Sequence, residues 1–327
     1  MDRIDRQIVH CLQRDGRASF DLIADVLGVS PQTIGRRYQA LRRDGVIKVA
    51  TVPDPRTSRA RTWFLRVAVA PRAAGQLAES LAARDDTSWV SLVSGGGEIT
   101  CVCRIDPRDA AEKNLLDVLA RSPSVQTVTA AAMMRMYLGG NAEWDAFADP
   151  LSVEQVAMLT RTAGEKPPAD TGSVSLRPDD QPLLAELARD GRAKPAVLAR
   201  TLAWPRSRVT ARLNELFAAG LLHTEVDIAA DFFDSRAAAY IWMAVAPGEL
   251  EATGTALANR PETAFAAAVT GPTNLMCAVN CRDMDALFGY VTDAIGSLAP
   301  VRTADVTPVV RRIKQAHTHM RRGRLSP

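Results

Sequence analysis

Four residues in the stretch 30–37, SPQTIGRR, have the types and spacing to read DNA. Gln32 can pair with adenine, Arg36 and Arg37 can grip guanine, and Thr33 suits a thymine methyl or a phosphate. Such residues act together only if one rigid element presents them. Ser30 is a good N-cap, Pro31 fits the first helical position, and Gly45 ends the run. Ile34, Tyr38 and Leu41 recur on one face and claim the buried side. Gln32, Thr33, Arg36 and Arg37 are left outward near the helix N-terminus, where a recognition helix reads DNA. A second set, Arg206, Arg208 and Arg212, keeps an equivalent face basic, with Pro205 in place of the capping Ser and Trp204 before it. Losing such a cap costs about 1 kcal/mol. Both sets are expected to bind double-stranded DNA and to read different half-sites, so the operator is expected to be an imperfect palindrome. An arginine pair on a helix is usually just solvated. The cap, the turn before the helix and the second set argue for contact.

Signals for other chemistry are weaker. Cys101 and Cys103 are two apart on a strand and share a face, Cys277 holds the matching place, and Cys281 follows four residues on. No zinc spacing joins them, so they read as small core residues. The four histidines are His10, His223, His317 and His319. His317 and His319 stand beside RRGR and read as a mobile basic tail that touches phosphates. The segment SGGGE does not precede a basic helix start as a phosphate loop would. No catalytic residue, metal or cofactor is expected. Odd, scattered cysteines and a charged N-terminus point to the cytoplasm. The chain has 327 residues, 47% hydrophobic and 24% charged, without an apolar run long enough for a membrane helix.

The elements that position these residues occur twice. RDGRA stands at 14–18 and again at 189–193. At an offset of 175, Asp5 falls on Asp180, Leu12 on Leu187, Arg37 on Arg212 and Gly45 on Gly220. At an offset of 176, VAVAP at 67–71 falls on MAVAP at 243–247, and Cys101 on Cys277. One unit of about 140 residues is written twice. Each begins with three short helices, a helix-turn-helix with winged-helix-like character, over 1–50 and 176–223. Each head carries a net charge of +3 while the whole chain carries only +3, so positive charge is concentrated in the heads. Behind each head the hydrophobic period changes and gives β-α-β-β-α-β, a ferredoxin-like sandwich, over 62–138 and 238–315. The fold class is therefore α+β. A short helix with Ser152 and Gln155 at capping-box spacing, then a flexible linker at 161–175, fill 150–175. A basic tail occupies 316–327.

The head, with its Asp5 start, DGR, SPxT helix opening, Arg36-Arg37 and closing GVI, resembles that of the Lrp/AsnC (leucine-responsive, feast/famine) transcriptional regulators. The likeness covers both copies. It implies a regulator that senses a small molecule, often an amino acid, and that pairs through its sandwich domains and assembles further. It places the effector near a Gly-containing turn, which here is Ser94, Gly95 and Glu98 in one copy and Thr270, Gly271 and Asn274 in the other. A neutral Asn attracts an ammonium group less than a carboxylate does, so the two pockets are expected to differ. The tandem arrangement implies an internal pseudo-dimer. Two alternatives stay open: an enzyme like the siroheme decarboxylases, which resemble this family in fold, and an effector-independent architectural DNA binder.

Overall fold

The computed structural model describes residues 1–54, 57, 60–106, 114–139, 149–163 and 174–326. In the first copy α1 (Arg3–Arg14), α2 (Phe20–Leu27) and α3 (Pro31–Arg43) lead into strand β1 (Ile47–Pro53). Then come β2 (Arg61–Val69), α4 (Pro71–Ala82), β3 (Thr87–Val93), β4 (Glu98–Ile105), α5 (Leu115–Ala120) and β5 (Val125–Leu138). Helix α6 (Val153–Ala163) precedes the second copy. That copy repeats the head as α7 (Gln181–Arg189), α8 (Pro195–Leu202), α9 (Arg206–Ala218) and β6 (Leu222–Ile228). Its sandwich is β7 (Ala237–Val245), α10 (Leu250–Ala258), β8 (Thr263–Val269), β9 (Leu275–Cys281), α11 (Met284–Gly289) and β10 (Val301–Arg312). A hairpin, β11 (Met320–Arg321) and β12 (Arg324–Leu325), follows.

The helix starts follow from local chemistry. Asp2 and Asp5 form a capping box on α1, and the Ser19 and Ser30 hydroxyls accept from Leu22 N and Thr33 N. In the second copy Lys194 and Pro205 stand at the corresponding positions and supply no side-chain cap. Helices α8 and α9 are held instead by their buried stripe of Leu198, Val209, Leu213 and Leu216.

The two copies do not fold as two bodies. One compact unit holds 1–59 with 147–228, and the other holds 60–146 with 229–326. Each copy gives its head to the first unit and its sandwich to the second.

In the head unit, β1 does not fold back as a wing. It pairs antiparallel with β6, from Ile47 opposite Ile228 to Pro53 opposite Leu222. Ala50 faces Glu225, the residue 175 positions on, so an approximate two-fold axis passes through that pair. An unpaired strand edge leaves amides and carbonyls open, and each copy closes the other's. The duplicated RDGRA turns meet across the same axis. Arg192 donates to Gly16 O and Ala18 O at 2.7 Å, and Arg17 donates to Gly191 O. Gly191 N in turn donates to Val49 O at 2.8 Å. A side chain at 191 would meet Ala50 C at 2.7 Å and Thr51 N at 2.8 Å, so only glycine allows this approach. Both arginines lie on aromatic rings, Arg17 over Phe217 at 5.1 Å and Arg192 over Phe20 at 4.9 Å.

Helix α6 docks on the first head. Ser152 and Gln155 form the capping box that their spacing predicts, with Ser152 N donating to Gln155 Oε1 at 2.9 Å and Gln155 N to Ser152 Oγ at 3.3 Å. Gln155 Nε2 then reaches Val26 O at 2.8 Å, and Leu151 N donates to His10 Nδ1 at 3.1 Å. The rest of the expected linker falls mostly outside the described residues, as do residues 107–113 ahead of α5.

In the sandwich unit, two four-stranded sheets join edge to edge into a closed barrel in the order β10-β3-β4-β2-β5-β8-β9-β7. The joins are reciprocal. Strand β5 pairs with β2 through Ala132 and passes to β8 from Met133, while β10 pairs with β7 through Pro308 and passes to β3 from Val309. Those switch points lie 176 residues apart. Outside the strands, α4 and α5 cover a core of Leu65, Val67, Ile99, Cys101 and Cys103; α10 and α11 cover the matching core of Ile241, Met243, Cys277 and Val279. Between the sheets, Phe64, Trp242, Met276 and Ala131 pack together, with Phe64 edge-on to Trp242 at 6.4 Å.

The expected free tail is a correction. Residues through Ser326 belong to the sandwich unit, and Met320 and Leu325 pack on Ala229. Met320 N donates to Ile313 O at 2.7 Å and Ser326 N to His319 O at 2.8 Å. Met320 and Leu325 are apolar anchors that outweigh the charge of RRGR, so His317 and His319 sit in this hairpin segment and not on a loose arm.

Candidate DNA-binding surface and effector turns

On α3, Ile34, Tyr38 and Leu41 are buried as their spacing predicts. Gln32 and Arg36 are exposed; Thr33 is half-buried, and its hydroxyl lies 2.9 Å from that of Ser30. Arg37 points elsewhere. Its Nη1 donates to Asp2 Oδ2 and Asp5 Oδ1, both at 2.8 Å, and those carboxylates hold the guanidinium even more firmly protonated. Arg37 thus ties α3 to the start of α1.

The second head repeats that tie and tightens it. Arg212 Nη2 lies 2.6 Å from Asp180 Oδ2 and Nε 2.8 Å from Asp180 Oδ1, while Nη1 reaches Glu215 at 2.6 Å. Its Nη2 also donates to Ser175 O at 2.8 Å. The Arg212 side chain is only 8% exposed and that of Asp180 5%. The Arg212 guanidinium holds the Asp180 carboxyl below the usual carboxylate range. Arg212, expected to face DNA, therefore faces inward; this corrects the sequence reading. Helical spacing left it on the rim of the stripe, and only its carboxylate partner decided which way it turned.

Arg206 and Arg208 are exposed, and the Arg208 guanidinium lies over the Trp204 ring at 4.0 Å. The counterparts of Gln32 and Arg36 are Ser207 and Ala211, both exposed. The two heads therefore present different chemistry, an amide and one arginine against two arginines nearer the helix start. The cross-copy role of Arg17 and Arg192 was missed at the sequence level, although the identity of the RDGRA repeats was its signal.

The turns in the sandwich unit are already engaged. The Glu98 carboxylate accepts from Arg66 Nε at 2.6 Å and Arg66 Nη2 at 3.3 Å, and from Ser94 Oγ at 3.3 Å. Arg66 also meets Asp305 at 2.7 Å and lies over Trp242 at 5.5 Å. In the other turn, Asn274 accepts from Val245 N and donates to Val245 O, each at 2.9 Å. Thr270 joins the opposite copy, accepting from Ala132 N through its hydroxyl and donating from its amide to Ala132 O, both at 2.9 Å. Gly95 and Gly271 have φ of 70° and 108°, as such turns require. The structure joins Ser94 directly to Glu98, and Glu98 to Arg66; Thr270 and Asn274 serve as strand clamps.

All five cysteines are buried and unpaired with one another. Burial pushes their thiols up, Cys103 and Cys277 to about 12. Among the described residues, no three His, Cys, Asp or Glu side chains converge as a metal site, and no helix is long and apolar enough to cross a membrane.

Comparison with known proteins places these features. Residues 1–42 match the AsnC-type helix-turn-helix domain, and residues 238–318 match the Lrp/AsnC ligand binding domain. The HTH-type transcriptional regulator FL11 of Pyrococcus horikoshii is 30% identical over 129 residues, covering 38% of this chain and 84% of that relative. The leucine-responsive regulatory protein of Klebsiella pneumoniae is 27% identical over 139 residues, covering 41% of this chain and 85% of its own length. Such relatives correspond in length to one of the two copies. The crystal structure of the siroheme decarboxylase NirDL aligns over 99% of this chain with a TM-score of 0.63 at 13% identity, a likeness of fold.

Proposed function

The chain belongs to the Lrp/AsnC family of transcriptional regulators, and on that premise we propose that it reads DNA as an internal pseudo-dimer with two unlike heads. The observation that supports this most is the pairing of β1 with β6 about Ala50 and Glu225, which relates the heads by an approximate two-fold. Two-fold heads suit a two-part operator. Gln32, Thr33 and Arg36 read one half-site; Arg206 and Arg208 contact the other. Arg37 and Arg212 act as struts that hold α3 and α9 in place. The sandwich unit carries the small-molecule response, and the chain acts in the cytoplasm, where its DNA is. Further assembly of chains follows the family pattern.

For the effector, the turns at 94–98 and 270–274 are where the resemblance puts the site. Glu98 enters any such contact already paired with Arg66, and Asn274 already clamped to Val245. An amino-acid ammonium group therefore finds no unpaired carboxylate at either position.

The test is fluorescence anisotropy of the full chain with DNA from upstream of its own gene, across a salt series. Tight, sequence-selective binding that weakens steeply with salt is expected. Equal binding to all sequences, unchanged in Gln32→Ala with Arg36→Ala, overturns the reading. A second reading, chemistry on a tetrapyrrole, is favoured only by the likeness to the siroheme decarboxylase over both copies. A Soret band in the purified protein would carry it forward.

A further inference from the structure

The sandwich unit holds a cleft of about 360 Å³ between the start of β7, the end of β10 and the β11–β12 hairpin. Arg236, Arg311, Arg312 and Arg322 line it. Among the described residues none of the four has a carboxylate partner. The one acidic lining residue, Asp231, is already paired with Arg324 at 2.8 Å. Arg312 lies over the Trp89 ring at 5.3 Å, and its buried Nε has no acceptor. At the lip, Arg322 sits in a tight turn, with φ of 50° followed by 78° at Gly323. Of the remaining lining, Ser235 is polar, and Ala230, Ala238, Val309 and Met320 are apolar.

Four arginines line one cleft without a carboxylate partner, with Arg236, Arg311 and Arg322 exposed at its surface, and leave an uncompensated positive charge there. An anion relieves it. Each guanidinium offers a planar fork that matches a carboxylate or phosphate with two parallel hydrogen bonds. The volume falls within the range of small-molecule sites, and a concave cleft of this size admits a metabolite more readily than a duplex.

The first copy does not repeat the site. The counterparts of Arg236 and Arg312 are Ala60 and Met136, and Arg135, the counterpart of Arg311, is engaged by Glu251 at 2.7 Å. We propose that this cleft binds a small anion bearing two or more carboxylate or phosphate groups, one per chain. As the ligand class of the ligand-responsive unit, it rests on the regulator reading; as a binding site, it stands alone.

Titration calorimetry of the full chain with citrate, and separately with pyrophosphate, tests it. Saturable binding of at least one probe at one site per chain is expected. It should weaken tenfold or more in Arg236→Gln with Arg311→Gln and persist in Arg135→Gln. No saturable binding of either probe overturns the proposal, and so does equal affinity in the double variant. If neither probe binds but the double variant loses DNA affinity, the cleft is a phosphodiester contact and the proposal falls. A chain that binds DNA but neither anion refutes the cleft alone; one that binds an anion but no DNA refutes the heads alone.

Discussion

Arg212 and Asp180 form a buried ion pair, Nη2 to Oδ2 at 2.6 Å, and the same pair recurs 175 residues earlier as Arg37 and Asp5 at 2.8 Å. In each head it joins the third helix to the start of the first. The two versions differ in burial, with Arg37 24% exposed against 8% for Arg212. Removing one partner of a buried pair costs about 3–5 kcal/mol, whereas an exposed pair contributes about 1 kcal/mol or less. Arg212→Ala is therefore expected to destabilise its head severely and Arg37→Ala mildly. Hydrogen exchange of the α9 and α3 amides measures both. Equal protection loss in the two variants would contradict the burial argument.

The same pair sets an acid limit. The Asp180 carboxyl titrates below its ordinary value because Arg212 holds it. A depressed carboxylate contributes stability that is fully present above its unfolded pKa of about 3.9 and is lost as pH falls towards the folded value. The second head is expected to loosen between about pH 4 and lower values. Asp180→Asn should be less stable at pH 7 and show a flatter decline in acid, read by circular dichroism.

The β1–β6 seam can be tested through a glycine. Gly191→Ala places a Cβ 2.7 Å from the Ala50 carbonyl carbon, which is backbone and cannot turn aside. Overpacking of this kind costs about 1–3 kcal/mol. Gly16→Ala meets Thr224 Cγ2 at 2.6 Å, a side chain with some room to move. Thermal melts should rank Gly191→Ala below Gly16→Ala. DNA affinity should follow the same order, because the seam sets the spacing of the heads.

The heads should contribute unequally to sequence preference. On the proposed reading, in which Arg36 contacts a base edge, Arg36→Ala should cost about 1–3 kcal/mol at one half-site. The matching position on α9 is already Ala211, so Arg208→Ala is expected to lower affinity more evenly across sequences and to reduce the salt slope. Footprinting on an operator with either half-site altered distinguishes the two.

Thiol reagents should find no reactive cysteine. The thiolate is the nucleophile, and burial pushes Cys11 and Cys103 to about 12. Labelling with a disulfide reagent at pH 8 should be negligible until denaturant is added. Rapid labelling of one cysteine in the native chain would contradict that burial.

The order of elements, the capped reading helix, the duplication and the two cysteine-containing cores were legible from the sequence, because caps, hydrophobic periods and repeats are local or self-comparing signals. Gln32, Arg36, Arg206 and Arg208 were placed outward by helical spacing alone, and they are outward. What only the tertiary structure decided is pairing between copies. An edge strand such as β1 carries no mark of which strand will complete it, so its union with β6 was invisible, as was the closing of two sheets into one barrel. Arg212 lies at the edge of its helix stripe, and a residue there turns inward or outward according to a carboxylate 32 positions away. The tail reads as charged and loose, yet two apolar side chains, Met320 and Leu325, dock it. In each case a long-range contact outweighed a local tendency, and such contacts are set by which surfaces remain unsatisfied once the local elements have formed.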